Sequence, residues 1–207
     1  MRSNSAFGQR DPRWSDVPLG TYGGHTLGTA GCLVSVAAGM LVDVVEEEID
    51  PGRLNRWLCR AGGFVNGNLV SFGALEAFGL SGVVIDCYSW AAPMDEVAVV
   101  LGECGGVLAL VDFIPGGSVN QHWVRILRLD GDDAWMHDPW LPPGVGPYWM
   151  MPRYGHYMWD GPARTIFRLA MYLPDAAVMA RAVAGVDGVA MTPARDARQG
   201  AVFCDQR

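Results

Sequence analysis

The chain has 207 residues, half of them hydrophobic, and a formal charge of −7. A chain of this size buries about 70% of the surface its unfolded form exposes, so one main domain with a full core is expected. An acidic balance without any cluster of Lys and Arg excludes nucleic acid as a partner, because phosphate binding depends on clustered cations that displace counterions.

The opening stretch, Met1 to Arg10, lacks the apolar run of a secretory signal, which predicts a cytoplasmic location by default. A Gly-rich segment from Leu19 to Gly31 leads into the longest apolar run, Cys32 to Val45. That run contains Ser35 and Asp43 and falls short of the ~20 residues needed to cross a bilayer, so no membrane span is expected. Cys32 to about Val42 reads as a buried core helix. Asp50-Pro51 supplies an N-cap and a first-turn proline for a second helix carrying Leu54, Trp57 and Leu58, which Gly62-Gly63 stops. A third helix is expected from Leu69 to Phe78, ended by Gly79.

Strands dominate the middle of the chain. Gly82 to Tyr88 is the first, Pro93 opens a helix that ends near Gly102, and Val107 to Phe113 is apolar enough for a central strand. Trp123 to Leu129 alternates only in part, Asp130-Gly131-Asp132-Asp133 supplies turn chemistry, and Ala134 to Asp138 returns as the next strand. Pro139 to Gly161, rich in proline, glycine and aromatic residues, reads as an ordered surface loop, and Ala163 to Tyr172 as the last core strand. Beyond Pro174 the Ala/Arg/Gly-rich chain reads as a peripheral tail or partner-binding arm, with at most a short helix near Ala176 to Val183. Helices first and strands after predict an α+β class, N-terminal helices packed on an antiparallel sheet.

Five cysteines (Cys32, Cys59, Cys87, Cys104, Cys204) form no Cys-x-x-Cys pair and sit mostly among apolar neighbours, which favours free thiols and leaves room for one pairing, Cys87 with Cys104. No His/Cys spacing matches a zinc site, and Asp130 to Asp133 lacks the later Glu of a calcium loop, so no metal or cofactor is expected.

Cys32 alone among them stands at the start of a helix, where the peptide dipoles favour the thiolate. The Gly28-Thr29-Ala30-Gly31 turn before it offers close backbone approach and free N–H groups for an oxyanion; the alternative is that Cys32 is one more small core residue. His122, at the mouth of a strand, can serve as base toward the thiol and acid toward a leaving group, or be a strand-end histidine bonded to a carbonyl. Asp138, across the hairpin, can fix the imidazole tautomer or simply cap the turn before Pro139. Register tests this: a two-residue turn at Gly131-Asp132 alone sets Asp138 opposite Arg125, on the wrong face, whereas a longer loop or a bulge returns it to the face of His122. The hairpin is therefore expected to lack a simple two-residue turn. His137 should leave the opposite face, and it, His25 and His156 read as surface or satisfied histidines. Tyr148, Trp149, Tyr154, Tyr157 and Trp159 either roof the cleft and bind an extended peptide or pin the loop by their own burial.

The segments Gln9 to Gly20, Thr26 to Leu33, His122-Trp123-Val124 and His137-Asp138-Pro139-Trp140 together resemble the C39-like cysteine peptidase domains of bacteria and bacteriophages, which share the papain-like fold. The resemblance covers Gln9 to Tyr172. It implies a peptidase domain over 1–173 with 174–207 as a peripheral arm, Cys32 as nucleophile, His122 as base and acid, Asp138 as orienter and Gln9 as side-chain donor to the oxyanion hole. Against the bacteriocin-processing members, Gly31-Cys32-Leu33 replaces Asp-Cys-Gly, Thr26 stands where they carry glutamine, and no transporter module is present. The expectation is a thiol hydrolase acting on a peptide or the peptide part of peptidoglycan, with acyl transfer as a variant. The alternative from another class is a catalytically silent structural or adaptor module, such as a phage virion or tail component, meeting its assembly partner through the C-terminal tail or the aromatic loop.

Overall fold

The computed structural model describes residues 5–114, 118–142, 145–155 and 161–174, with the backbone of 192–193. The Gly116-Gly117 loop, His156, Tyr157, Trp159, Cys204 and the helix expected near Ala176 to Val183 lie outside the described residues.

A single helical turn, α1 (Leu27–Ala30), precedes α2 (Cys32–Val45), which runs three residues past the expected Val42 and ends at Glu46 in the left-handed conformation. Helix α3 (Pro51–Ala61) starts as its sequence dictates: Asp50 accepts the Arg53 N–H at 2.7 Å, Pro51 occupies the first turn and Gly62 closes the end with φ of 68°. The third expected helix is shorter and of another kind. Leu69–Val70 (β2) pairs with Phe64–Val65 (β1) in a small hairpin over Asn66-Gly67-Asn68, and only Phe72–Phe78 is helical, as a 3-10 helix ended by Gly79. Asn66 and Gly67, both at positive φ, carry the turn chemistry that makes this a hairpin.

The main sheet is antiparallel throughout, in the order β7 (Tyr148–Trp149), β6 (Asp133–His137), β5 (Gln121–Asp130), β4 (Gly106–Asp112), β8 (Arg168–Leu173), β3 (Ser81–Asp86), β9 (Thr192–Pro193). The architecture is therefore α+β, with helices against an antiparallel sheet. Helices α4 (Met94–Gly102), α5 (Met150–Tyr154) and α6 (Pro162–Thr165) complete it. Strand β8 begins later than the expected Ala163 because Pro162 starts a helical turn. The stretch from Pro139 to Gly161 is more than a loop: it holds β7 and α5.

Strand β4 reads as an unbroken apolar run because it is buried on both faces. Leu108 and Leu110 join α2, α3 and Trp123 in one core; Val107, Ala109 and Val111 join Val97, Val100, Val124, Ile126 and Met150 in a second. Where β4 passes α2 a side chain at Gly106 would strike Met40, with a Cβ 2.3 Å from its Cγ, so only glycine allows that approach. Arg125 points from β5 at α2, where its Nη1 donates to the Gly39 carbonyl at 2.8 Å and to Asp43 at 2.6 Å. Asp43 also accepts the Ser5 N–H, so one buried ion pair ties helix, sheet and N-terminal segment together. Cys87 and Cys104 are free thiols, and the pairing left open for them does not form. Among the described residues no helix is long and apolar enough to cross a membrane.

Candidate active site

Cys32 opens α2, and His122 lies near the start of β5, where a twisted strand and a helix N-terminus converge. The thiol is hydrogen-bonded to the imidazole. Nε2 of His122 donates to Oδ1 of Asp138 at 2.7 Å, which leaves Nδ1 as the ring nitrogen for the sulfur. All three residues are buried: Cys32 is 1% exposed, His122 0% and Asp138 2%.

The register question has a mixed answer. The hairpin turn is the two-residue Gly131-Asp132, since Asp130 pairs with Asp133 and Arg128 with Trp135, but it does not stand alone. A β-bulge at Leu127 then shifts the pairing, so that Ile126 meets Met136 and Arg125 meets His137. The next residue, Asp138, falls on the face of Val124 and His122. The tightest turn forms because Asp130 to Asp133 favours it, and the bulge supplies the odd residue that a longer loop would have supplied.

Burial disfavours a charged His122, but the hydrogen bonds and negative charges of Asp138 and Cys32 outweigh it and raise the ring to about 9. At neutral pH the imidazole is thus protonated beside the sulfur. Asp138 is held well below the usual carboxylate range: burial opposes its charge, and the His122 hydrogen bond and charge, Arg153 and Tyr154 more than offset that. Its Oδ1 also accepts the Trp140 N–H at 2.9 Å, and its Oδ2 accepts from the Tyr154 hydroxyl at 2.7 Å and from Arg153 Nε.

The turn before Cys32 differs from expectation. Gly28 N–H donates to the Ser15 carbonyl and Gly31 N–H to Leu27, while Thr29 and Ala30 both donate to Thr26, so these groups are already used. Gly31 is required for closeness, since a Cβ there would lie 2.4 Å from the Leu27 carbonyl oxygen. The N–H groups of the first turn of α2, which helix geometry leaves without acceptors, are the ones that can face an oxyanion. Gln9 is fully buried, takes the Pro139 carbonyl on its backbone N–H at 2.7 Å and donates from Nε2 to the Gly28 carbonyl at 3.1 Å. This places it between the Asp138 segment and the turn before Cys32, with one amide hydrogen committed and Oε1 unpartnered.

Of the five aromatic residues expected either to roof the cleft or to pin the loop, Tyr148, Trp149 and Tyr154 are among the described residues, and other rings also surround His122. Phe113 packs on His122 at 4.9 Å and edge-on against Trp140 at 5.2 Å, and Arg10 lies over Trp140 at 4.9 Å. Trp149 packs edge-on against Trp135 and under Arg128 at the sheet edge, Tyr148 is exposed, and Tyr154 is buried against Asp138. His137 is likewise neither exposed nor satisfied: it is buried beside Arg125, its Nδ1 has no partner, and burial and the arginine push it down to about 4. His25 is half-buried in its loop. A cavity of about 30 Å³ lies beside Cys32, walled by Leu19, Leu33, Leu69, Phe72 and Trp123, with the Trp123 indole N–H unpartnered.

Arg125 and Arg153 were not anticipated as site residues, and Tyr154, expected in the roof of the cleft or pinning the loop, instead bonds Asp138. An arginine inside the apolar Val124-Arg125-Ile126 was the one signal, since a buried cation implies a buried partner. Among the described residues no group of acidic, histidine and cysteine side chains could hold a metal ion.

Neither a family model nor a curated protein matches the chain. Among solved structures it is similar to one from Bacillus anthracis described as a "putative C39-like peptidase", with 14% identity, a TM-score of 0.47, and coverage of 77% of this chain and 95% of that one.

Proposed function

We propose that the chain is a thiol hydrolase that cleaves an amide bond in a peptide, or in the peptide part of peptidoglycan, from a papain-like domain of the C39-like kind spanning 1–173, with 174–207 as a peripheral arm. One observation carries this reading: a cysteine at a helix N-terminus is hydrogen-bonded to a histidine whose Nε2 is bound to a buried carboxylate. An imidazolium beside the sulfur and the positive end of α2 both favour the thiolate.

In this mechanism the Cys32 thiolate attacks the carbonyl carbon and a carbon–sulfur bond forms. Nδ1 of His122 gives its proton to the departing amine as the carbon–nitrogen bond breaks. Water then loses a proton to the neutral ring as its oxygen attacks the thioester, and the sulfur leaves as thiolate, restoring the ion pair. Asp138 holds the ring orientation through both halves. The first N–H groups of α2 and the uncommitted amide hydrogen of Gln9 are the donors assigned to the oxyanion. Capture of the same acyl-enzyme by an amine is the transferase variant.

The test is alkylation by iodoacetamide across pH, with peptide mapping of each cysteine, beside hydrolysis assays on peptides and peptidoglycan fragments. Cys32 labelling faster than Cys59, Cys87 and Cys104 at pH 6–7, with loss of both labelling and hydrolysis in His122→Ala, supports the reading; uniform slow labelling removes it. A silent module with the same fold is favoured by one feature, the closure of Cys32 and His122 from solvent. Selective labelling without hydrolysis of any peptide or peptidoglycan substrate is the result that favours that second reading.

A further inference from the structure

Asp138 has four donors, and two of them are neighbours on the short helix α5. Oδ1 takes the His122 Nε2 proton at 2.7 Å and the Trp140 N–H at 2.9 Å, while Oδ2 takes the Tyr154 hydroxyl at 2.7 Å and the Arg153 Nε–H. Arg153 Nε also lies 3.2 Å from the Tyr154 oxygen, and its guanidinium carbon 5.3 Å from that ring, so the two side chains form one unit. Tyr154 is buried and packs 6.0 Å from the imidazole, centroid to centroid. The Arg153 side chain is 29% exposed, so its charge stays partly solvated while Nε points inward.

Resting on the reading of Cys32, His122 and Asp138 as the reacting set, we propose that Arg153 and Tyr154 are positioning residues that act through Asp138. They grip its far oxygen so that the near one is aimed at His122 Nε2, and Arg153 keeps the carboxylate ionised while the imidazole is neutral. The proton balance of the cycle calls for such a group. In the resting pair Asp138 faces an imidazolium, but in the acyl-enzyme the ring has passed its proton to the amine and carries no charge. A buried carboxylate without a cation is then strongly unfavourable. Arg153 is a cation in both halves, and guanidinium does not titrate in the working range. Asp138 therefore has no need to take the ring's Nε2 proton, which must stay in place for Nδ1 to accept the next one from water.

The titratable groups bearing on His122 are Cys32 on α2, Asp138 after β6 and, more weakly, His137 on β6; Arg153 and Tyr154 reach it through Asp138. Removing Arg153 takes a cation from Asp138, leaves more of the carboxylate's charge to act on the ring and should raise the imidazole by up to about one pH unit.

The experiment compares Arg153→Gln, Arg153→Lys and Tyr154→Phe in the full chain, reading the His122 titration and its Nε2–H proton by NMR and the pH profile of Cys32 alkylation. Arg153→Gln should titrate higher than the parent by up to about one pH unit. Tyr154→Phe should move the same way by less, Arg153→Lys should stay near the parent value, and all three should exchange the Nε2–H proton faster. No shift or a fall in Arg153→Gln and Tyr154→Phe, with the proton as protected as in the parent, overturns the proposal. Arg153→Lys and Tyr154→Phe decide the matter if Arg153→Gln does not fold. A parent protein without selective Cys32 labelling sinks the hydrolase reading instead, and the His122 titration still judges the clamp.

Discussion

Nε2 of His122 sits 2.7 Å from Oδ1 of Asp138 even though the two-residue turn joining their strands would, alone, put them on opposite faces. Leu127, the bulged residue, reconciles the two. Deleting Leu127 should carry Asp138 away from the ring, and Asp138→Asn should remove its charge without moving the strand. In both variants the His122 titration should fall from about 9 by roughly 1–3 units, and Cys32 alkylation at pH 7 should slow by about tenfold or more. NMR titration and labelling kinetics check this; an unmoved titration in Asp138→Asn would mean the carboxylate does not hold the ring.

Two buried histidines pull stability in opposite directions with pH. His122 is raised to about 9, so the stability it contributes is full below its unfolded value of 6.5 and is lost as pH rises through 9. His137 is depressed to about 4, so the folded state keeps it neutral while the unfolded chain takes up a proton, and stability is lost as pH falls from 6.5 toward 4. Asp138 adds stability above its ordinary value of 3.8, lost only below it. Because the Cys32 thiolate of the same pair offsets the proton held by His122 up to the ordinary thiol value, urea unfolding midpoints should fall on the acid side of pH 6.5 and again as pH rises through 9, with each limb worth on the order of 1–3 kcal/mol. His137→Gln should flatten the acid limb alone. Midpoints that climb steadily from pH 6.5 to 9 would contradict the assignment of His122.

The pair Arg125 and Asp43 fastens the helix that carries Cys32 to the strand that carries His122. Breaking it one-sidedly leaves a buried charge uncompensated. Asp43→Ala should therefore cost about 3–5 kcal/mol, whereas the double change Asp43→Leu with Arg125→Met should cost much less. Chemical denaturation of the three proteins measures the difference, and an Asp43→Ala loss below about 1 kcal/mol would reduce this pair to a surface-like contribution.

What was legible in the sequence was local. Asp50, Pro51 and Gly62 mark α3 because caps act within one turn, and β4 announces its burial because Val107 to Val111 is an unbroken apolar run. Leu69 was misassigned because two-residue strands carry no period, and only Asn66-Gly67 betrays the hairpin. Cys32, His122 and Asp138 could be picked out by residue type and place, and register showed that their hairpin needs one extra residue, but not that a bulge at Leu127 supplies it. Tyr154 and Arg153 were hidden in a stretch without periodicity, and their contact with Asp138 exists only once α5 is folded under β6. The free N–H groups expected at Gly28 to Gly31 were absent because α1 forms there and uses those of Thr29, Ala30 and Gly31, while the Ser15 carbonyl takes that of Gly28.

Closure of the thiol gives a last prediction. The cavity beside Cys32 is small, about 30 Å³, and is walled mostly by apolar side chains. Leu69, on the β1–β2 hairpin, is one of its walls and is 7% exposed. Leu69→Ala should enlarge the space at a stability cost of about 2–4 kcal/mol. If this wall limits access, the ratio of N-ethylmaleimide to iodoacetamide rates at Cys32 should rise several-fold, because the bulkier reagent gains more. Val97→Ala, in the separate core on the far face of the sheet, serves as the control for destabilisation alone and should leave the ratio unchanged. Equal ratios in both variants would mean that the thiol is reached by general opening of the fold rather than past the hairpin.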